Sequence, residues 1–241
     1  MHIIIAKDKQ DLGKKAAETV GMLLKESPKA NICLPTGNTP LPLYKELRNT
    51  FTNAEFTYIA LDEYLGLDKH DPHCFSNWLA REILDPLDIP AKKRLLIDPS
   101  AAEADSEAKR HEKKITEQGG IDIAVLGLGH NGHIGFNEPG SAFKSPTRKV
   151  KLADRTRKAN AAYWGGDINK VPHSAITLGL DILSSARQTI LLVSGEDKAD
   201  ILQKSLEGPV TDDIPATYLQ NMENVVVIAD EDAASKLTQS R

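Results

Sequence analysis

Short runs of apolar residues, each of strand length, alternate along this chain with longer segments that mix apolar and polar positions. The runs fall at residues 2–6, 31–34, 56–61, 94–97, 121–126, 175–178, 189–193 and 225–229, and several are rich in β-branched side chains. Between them, segments 8–26, 76–84, 101–118 and 196–206 have the mixed pattern of helices that bury one face. Strand and helix therefore alternate. That rhythm predicts a doubly wound α/β domain, a mostly parallel sheet with helices on both faces in a modified Rossmann-like arrangement. No internal repeat, low-complexity tract or Gly/Ser-rich linker divides the chain, so 1–241 reads as a single domain.

Composition changes this picture little. Hydrophobic residues make up 40%, charged residues 27% and the net charge is −4, ordinary values that give no electrostatic footprint for nucleic acid. The apolar runs are too short to span a membrane. The start, MHIIIAKDKQ, has no basic segment followed by a long apolar stretch and a small-residue cleavage site, so no secretory signal is expected. Cys33 and Cys74 form neither a disulfide framework nor a zinc motif, which points to a reducing cytoplasm.

One stretch departs from the average. Between 144 and 158 seven basic residues (Lys144, Arg148, Lys149, Lys151, Arg155, Arg157 and Lys158) face a single acid, Asp154. The stretch reads either as a solvated helix face or as a cover over an anion. Just beyond it, Tyr163-Trp164-Gly165-Gly166 offers glycine freedom suited to a hinge, so a lid is expected over about 142–172.

Ligands of open α/β sheets sit outside the carboxyl ends of the strands, and three loops there carry candidate chemistry. In the first, Leu34-Pro35-Thr36-Gly37-Asn38-Thr39-Pro40, a strand runs through small polar residues into a helix opened by Pro40 or Pro42. Its backbone N–H groups could hold a phosphate at the helix N-terminus, the plainer alternative being a turn capped by Thr39. The second, Ala60-Leu61-Asp62-Glu63-Tyr64, sets two carboxylates at the end of an apolar strand. They either start a turn or cap a helix, or one is a general base whose pKa a dry cleft has raised.

The third loop runs from Gly127 to Pro139 and satisfies G-x-G-x-x-G in its first six residues. A dinucleotide site is rejected on context: Gly135, Pro139 and Gly140 interrupt any long helix, and the basic stretch stands where the second strand and its acid belong. His133 and Glu138 instead suggest an active-site turn. His130 and His133 lack a third metal ligand at recognisable spacing, so neither a metal nor a cofactor is expected.

Together these loops resemble the glucosamine-6-phosphate deaminase family, whose fold 6-phosphogluconolactonases share. The resemblance runs through LPTGNTPLPLYKEL (34–47), LDEYLGL (61–67), GHNGHIGFNEPG (129–140), DRTRKAN (154–160) and GEDK (195–198). GHIGFNEP is highly specific, and lactonases resemble it only as far as the Gly-His. The resemblance implies conversion of glucosamine 6-phosphate and water to fructose 6-phosphate and ammonia, with a small-molecule sugar phosphate as the substrate. It implies Asp62 as the base that moves a proton between C2 and C1, His133 in ring opening and Glu138 as its acidic partner. Thr36, Gly37, Asn38 and Thr39, with Arg157 and Lys198, match the phosphate-binding positions.

Several departures stand out against that family. Asn131 replaces an Asp of the longer members, so His133 lacks a full negative charge beside it, although the amide oxygen can still orient the ring. Pro72-His73-Cys74-Phe75 replaces Pro-x-Ser-Tyr, which bears on substrate contacts. The chain stops soon after Asp230, without the extension of the allosteric hexamers, and Val150 stands at a basic effector-binding position. Little or no allosteric activation and a monomer or small homo-oligomer are therefore expected. Two other readings are a lactonase, which leaves Asp62 and Glu63 without a proton-transfer task, and a silent sugar-phosphate-binding regulator, which has no need of a proton relay.

Overall fold

The computed structural model describes residues 1–51 and 54–238. Strands β1 (His2–Ala6), β2 (Asn31–Leu34), β3 (Thr57–Ala60), β5 (Arg94–Leu95), β6 (Ile123–Gly127), β9 (Gln188–Val193) and β10 (Val225–Asp230) form one sheet in the order β1-β10-β9-β6-β2-β3-β5. Every pairing in it is parallel. The order places β2 beside β6 although β3 lies between them in sequence on the outer side, so the loops leaving β2 and β6 diverge. That divergence is the switch point at which doubly wound sheets open a crevice.

Successive residues of a strand serve opposite faces, and the core divides accordingly. Ile32 and Leu34 pack on one side with Leu12, Val20, Leu43 and Tyr44 of helices α1 (Lys9–Glu26) and α2 (Leu41–Thr50), while Cys33 packs on the other. Leu191 and Val227 join Cys33 there, covered by Ile115 of α4 (Ala104–Glu117) and Leu202 of α7 (Ala199–Glu207). Burial on both faces explains why these strands are almost continuously apolar.

Two sequence expectations change. The run 56–61 does not continue as one strand: β3 ends at Ala60, and after Leu61 the chain enters β4 (Asp62–Tyr64) in a different sheet. The run 175–178 does not join the parallel sheet either. It forms β8 (Ser174–Thr177), antiparallel to β4 and to β7 (Arg148–Lys151). Part of the basic stretch is thus an edge strand whose residues alternate between half-buried and exposed, which lets the cationic stems of Lys149 and Lys151 point to water. Only its end is helical, as α5 (Asp154–Asn160).

A third apolar cluster lies between the small sheet and the segment over it: Tyr64, Phe136, Leu152, Ala161, Trp164, Val171 and Ala175. Gly165 and Gly166 turn the chain beyond Trp164 with φ of 67° and 85°, a left-handed pair that side-chain-bearing residues rarely adopt. No helix among the described residues is long and apolar enough to cross a membrane.

Candidate active site

A cavity of about 670 Å³ opens at the carboxyl ends of β2, β3 and β6 and is lined by residues of all three sequence loops, together with α5 and Lys198. The first loop supplies Thr36, Gly37, Asn38 and Thr39. Thr39 does not cap α2. Pro40 occupies the N-cap position and, among the described residues, no side chain bonds the first helical amides. The cavity lining reaches the start of α2 at Pro40, where the helix dipole favours negative charge. The Tyr44 hydroxyl donates to the Pro35 carbonyl and ties the loop to α2.

The second loop separates its two carboxylates. Glu63 is 1% exposed, and its oxygens accept the backbone N–H groups of Tyr64 (2.9 Å), Phe75 (2.8 Å) and Ser76 (2.9 Å), which opens the short helix α3 (Phe75–Leu79). It is a structural cap. Asp62 is nearly as buried, at 8% exposure, and lines the cavity, yet among the described residues its carboxylate has no hydrogen-bond or ion-pair partner. Burial, reinforced by the charge of Glu63, raises its pKa to about 8. A buried carboxyl without donors is costly to ionise and therefore exchanges its proton near neutral pH.

The third loop builds a chain of hydrogen bonds. His133 Nδ1 lies 2.7 Å from Asn131 Oδ1, and Asn131 Nδ2 donates to Glu138 Oε2 at 2.7 Å. A carboxylate only accepts, so the amide must turn its nitrogen to Glu138 and its oxygen to the ring. His133 accordingly carries hydrogen on Nδ1 and leaves Nε2 as the basic nitrogen. Asn131 was expected to orient the ring, and it joins the histidine to the carboxylate as well. Residue 129 must be glycine for this geometry, because a Cβ there would fall 2.3 Å from the His133 ring.

Burial alone would raise the Glu138 carboxyl, but the nearby His133 ring and its charge when protonated, with donors from Thr156 and Asn131, bring it down to about 2. His133 Nδ1 and Glu138 Oε2 are 3.6 Å apart. Lys198 reaches the cavity and donates to the Leu128 carbonyl at 2.8 Å. Its burial lowers the ammonium pKa, Asp197 opposes that, and Arg155 adds to it. His130 pairs with Asp197 at 2.6 Å and does not converge with His133.

Arg157 is not where the phosphate reading puts it. It is 7% exposed, lies outside the cavity lining, and donates to the carbonyls of Ile168 (2.8 Å) and Val171 (3.1 Å). An always-charged guanidinium buried this way is stabilised by those carbonyls, so Arg157 braces the segment over the cavity rather than facing into it.

Sequence reasoning missed the inward face of α5. Thr156 donates its hydroxyl to Glu138, and Asn160, one turn on, donates to the Tyr64 hydroxyl at 2.7 Å. Their i, i+4 spacing in DRTRKAN was the available signal. It also missed the aromatic wall. Trp164 stacks on His73 with centroids 3.9 Å apart and planes 12° from parallel, and Asp71 holds His73 Nδ1 at 2.7 Å.

The glucosamine-6-phosphate isomerase/6-phosphogluconolactonase family matches residues 7–228. The chain is 41% identical to a glucosamine-6-phosphate deaminase of Halalkalibacterium halodurans, covering 100% of this chain and 99% of that protein. It is 39% identical to glucosamine-6-phosphate deaminase 2 of Bacillus subtilis, covering 98% of each. Among solved structures it resembles one described as a monomeric glucosamine-6-phosphate deaminase, at 35% identity and a TM-score of 0.94, over 98% of this chain and all of that one. A 6-phosphogluconolactonase from Trypanosoma cruzi shares the fold at 21% identity and a TM-score of 0.79, over 98% and 97%.

Proposed function

The chain belongs to the glucosamine-6-phosphate isomerase/6-phosphogluconolactonase family, and from that premise we propose that it is a glucosamine-6-phosphate deaminase, converting glucosamine 6-phosphate and water to fructose 6-phosphate and ammonia. The observation that carries this over lactone hydrolysis is Asp62, a buried carboxyl without donors, with its pKa near 8, facing a cavity that also holds His133. Ester hydrolysis needs no such group. Moving a proton between adjacent carbons does.

The substrate phosphate sits on the loop Thr36, Gly37, Asn38 and Thr39 and on Lys198. His133 Nε2 takes the proton of the C1 hydroxyl and returns it to the ring oxygen, opening the sugar to its aldehyde. Glu138, through Asn131 and its own charge, stabilises the protonated ring between these transfers. The substrate's ammonium favours the carboxylate form of Asp62, which removes the C2 proton of the aldehyde while an ammonium proton passes to O1, giving an enolamine, and Asp62 then delivers its proton to C1. The resulting C2 imine adds water and expels ammonia, leaving the ketone. The segment 142–172, braced by Arg157 and pinned by Thr156 and Asn160, is the lid that excludes water.

The resemblance to a structure described as monomeric supports a monomer in solution. Two free, buried cysteines are compatible with the reducing cytoplasm as its location. The test is stoichiometric: glucosamine 6-phosphate should yield ammonia and fructose 6-phosphate in equal amounts. Hydrolysis of 6-phosphogluconolactone without ammonia release would establish the lactonase reading, and binding without turnover the regulator.

A further inference from the structure

We propose that Arg81 supplies the guanidinium that grips the substrate phosphate. The inference rests on the sugar-phosphate reading above and adds a ligand-contacting residue that the family resemblance does not assign. It starts from a charge deficit. A phosphate dianion held in a partly dry cavity calls for more than one cation, and the arginine expected to help, Arg157, is turned into the lid. Among the described residues, the only lysine and arginine side chains lining the cavity are Lys198 and Arg81. The histidines there are already engaged: His130 with Asp197, His73 with Asp71 and Trp164, and His133 with Asn131.

Arg81 is uncommitted by comparison. Arg48, Arg94, Arg110 and Arg187 each face a carboxylate, of Glu82, Asp85, Glu107 and Asp122 respectively. Arg81 has no carboxylate partner among the described residues. One nitrogen, Nη1, makes two long contacts of 3.4 Å to the carbonyls of Pro72 and Asn77. That parks the guanidinium at the cavity rim and leaves the edge formed by Nε and Nη2 unused, the edge that takes an oxyanion with two parallel hydrogen bonds.

Its place in the fold fits the same role. Arg81 sits on a π-helical turn, Ala80–Leu84, that continues α3, with Asp85 N–H donating to the Ala80 carbonyl at 2.9 Å. This turn lies against α2, the helix whose open N-terminus follows the phosphate loop. Arg48 of α2 donates to the Glu82 carbonyl, and Trp78 meets Tyr44 edge-on at 6.3 Å. Isolated π turns are uncommon and concentrate at functional sites. Here the turn places, on the wall of the cavity that the loop 36–39 also lines, a guanidinium without a carboxylate partner among the described residues.

The experiment measures inorganic phosphate binding by calorimetry and steady-state kinetics with glucosamine 6-phosphate for the parent and for Arg81→Ala, Arg81→Lys and Arg155→Ala. Arg155 is the comparison because it influences Lys198 from outside the cavity lining. Arg81→Ala should weaken phosphate binding and raise KM roughly tenfold to hundredfold, the effect of losing charge-assisted hydrogen bonds, with a much smaller change in kcat. Arg81→Lys should recover only part of the loss, since an ammonium lacks the fork. Phosphate binding by Arg81→Ala as tight as the parent's, or a loss that appears in Arg155→Ala instead, overturns the proposal, and full recovery by lysine overturns its bidentate form. If the parent releases no ammonia, the deaminase reading fails, while the calorimetry still decides whether Arg81 holds phosphate.

Discussion

The two walls of the cavity treat the same chemical group in opposite ways. At the start of β4, just past β3, Asp62 is enclosed without a donor and its carboxyl is raised to about 8. In the loop after β6, Glu138 is also removed from water, but His133, Thr156 and Asn131 surround it and it falls to about 2. Glu63 lies between them: it is less exposed than Asp62, and the three backbone amides that make it a helix cap offset its burial only in part, so its carboxyl is still raised. What separates the raised carboxyls from the depressed one here is a cationic neighbour, since donors alone leave Glu63 raised while the His133 ring brings Glu138 down.

The strongest way to break the comparison is to remove the carrier. Asp62→Asn should lower kcat by about two to four orders of magnitude, the usual range for acid–base catalysis, while leaving the fold intact. The same variant should be the more thermostable protein at high pH. Because the folded pKa of Asp62 lies above the unfolded value, its contribution to stability is present in acid and is lost as pH rises through about 8, where the parent must bury a charge that asparagine does not carry. Melting curves at pH 6 and pH 9 check the sign.

Removing the fixed charge should matter less. Glu138→Gln should reduce kcat roughly tenfold to hundredfold, as expected for loss of one charged partner of His133. Its stability profile should change at the other end of the scale. A depressed carboxyl stabilises the fold above the unfolded pKa and loses that contribution as pH falls towards about 2, so the variant should show a shallower acid transition.

Arg157→Ala sharpens the comparison by testing what holds the segment over the cavity to the Glu138 wall. Loss of its bonds to Ile168 and Val171 should lower Tm by roughly 3–10 °C, with inorganic phosphate binding in calorimetry less affected than in Arg81→Ala. A large loss of phosphate affinity with unchanged Tm would return Arg157 to the phosphate site. The smallest effect belongs to Asn131→Asp, which sets a second carboxylate between Glu138 and His133. The acidic limb of the pH–rate profile should move upward by about one unit, because added negative charge favours imidazolium when neutral His133 is the working form.

Much of this was legible in the chain, for physical reasons. Strands buried on both faces read as continuous apolar runs, so β2, β6, β9 and β10 announce themselves, and residues just past their ends become candidates by topology. The small antiparallel sheet did not announce itself. Its strand β7 is Arg-Lys-Val-Lys at an edge, where pairing comes from the backbone and the side chains look like a charged helix face. Charge patterning also gives sign without direction. It identified a cationic segment, but only the carbonyls of Ile168 and Val171 show that Arg157 points away from the cavity. Arg81 sits in no motif, and the π turn that aims it has no sequence signature here.

The account depends most on Asp62 being a carboxyl that titrates near neutrality, and carboxyl-carbon NMR over a pH series measures that directly. In the parent without substrate, one side-chain carboxyl should titrate near pH 8 and should be missing from the spectrum of Asp62→Asn, while the Glu138 resonance should stay in its ionised position down to about pH 3. If instead the resonance lost in Asp62→Asn titrates near pH 4 in the parent, Asp62 is an ordinary solvated acid and the proton-transfer role assigned to it is wrong.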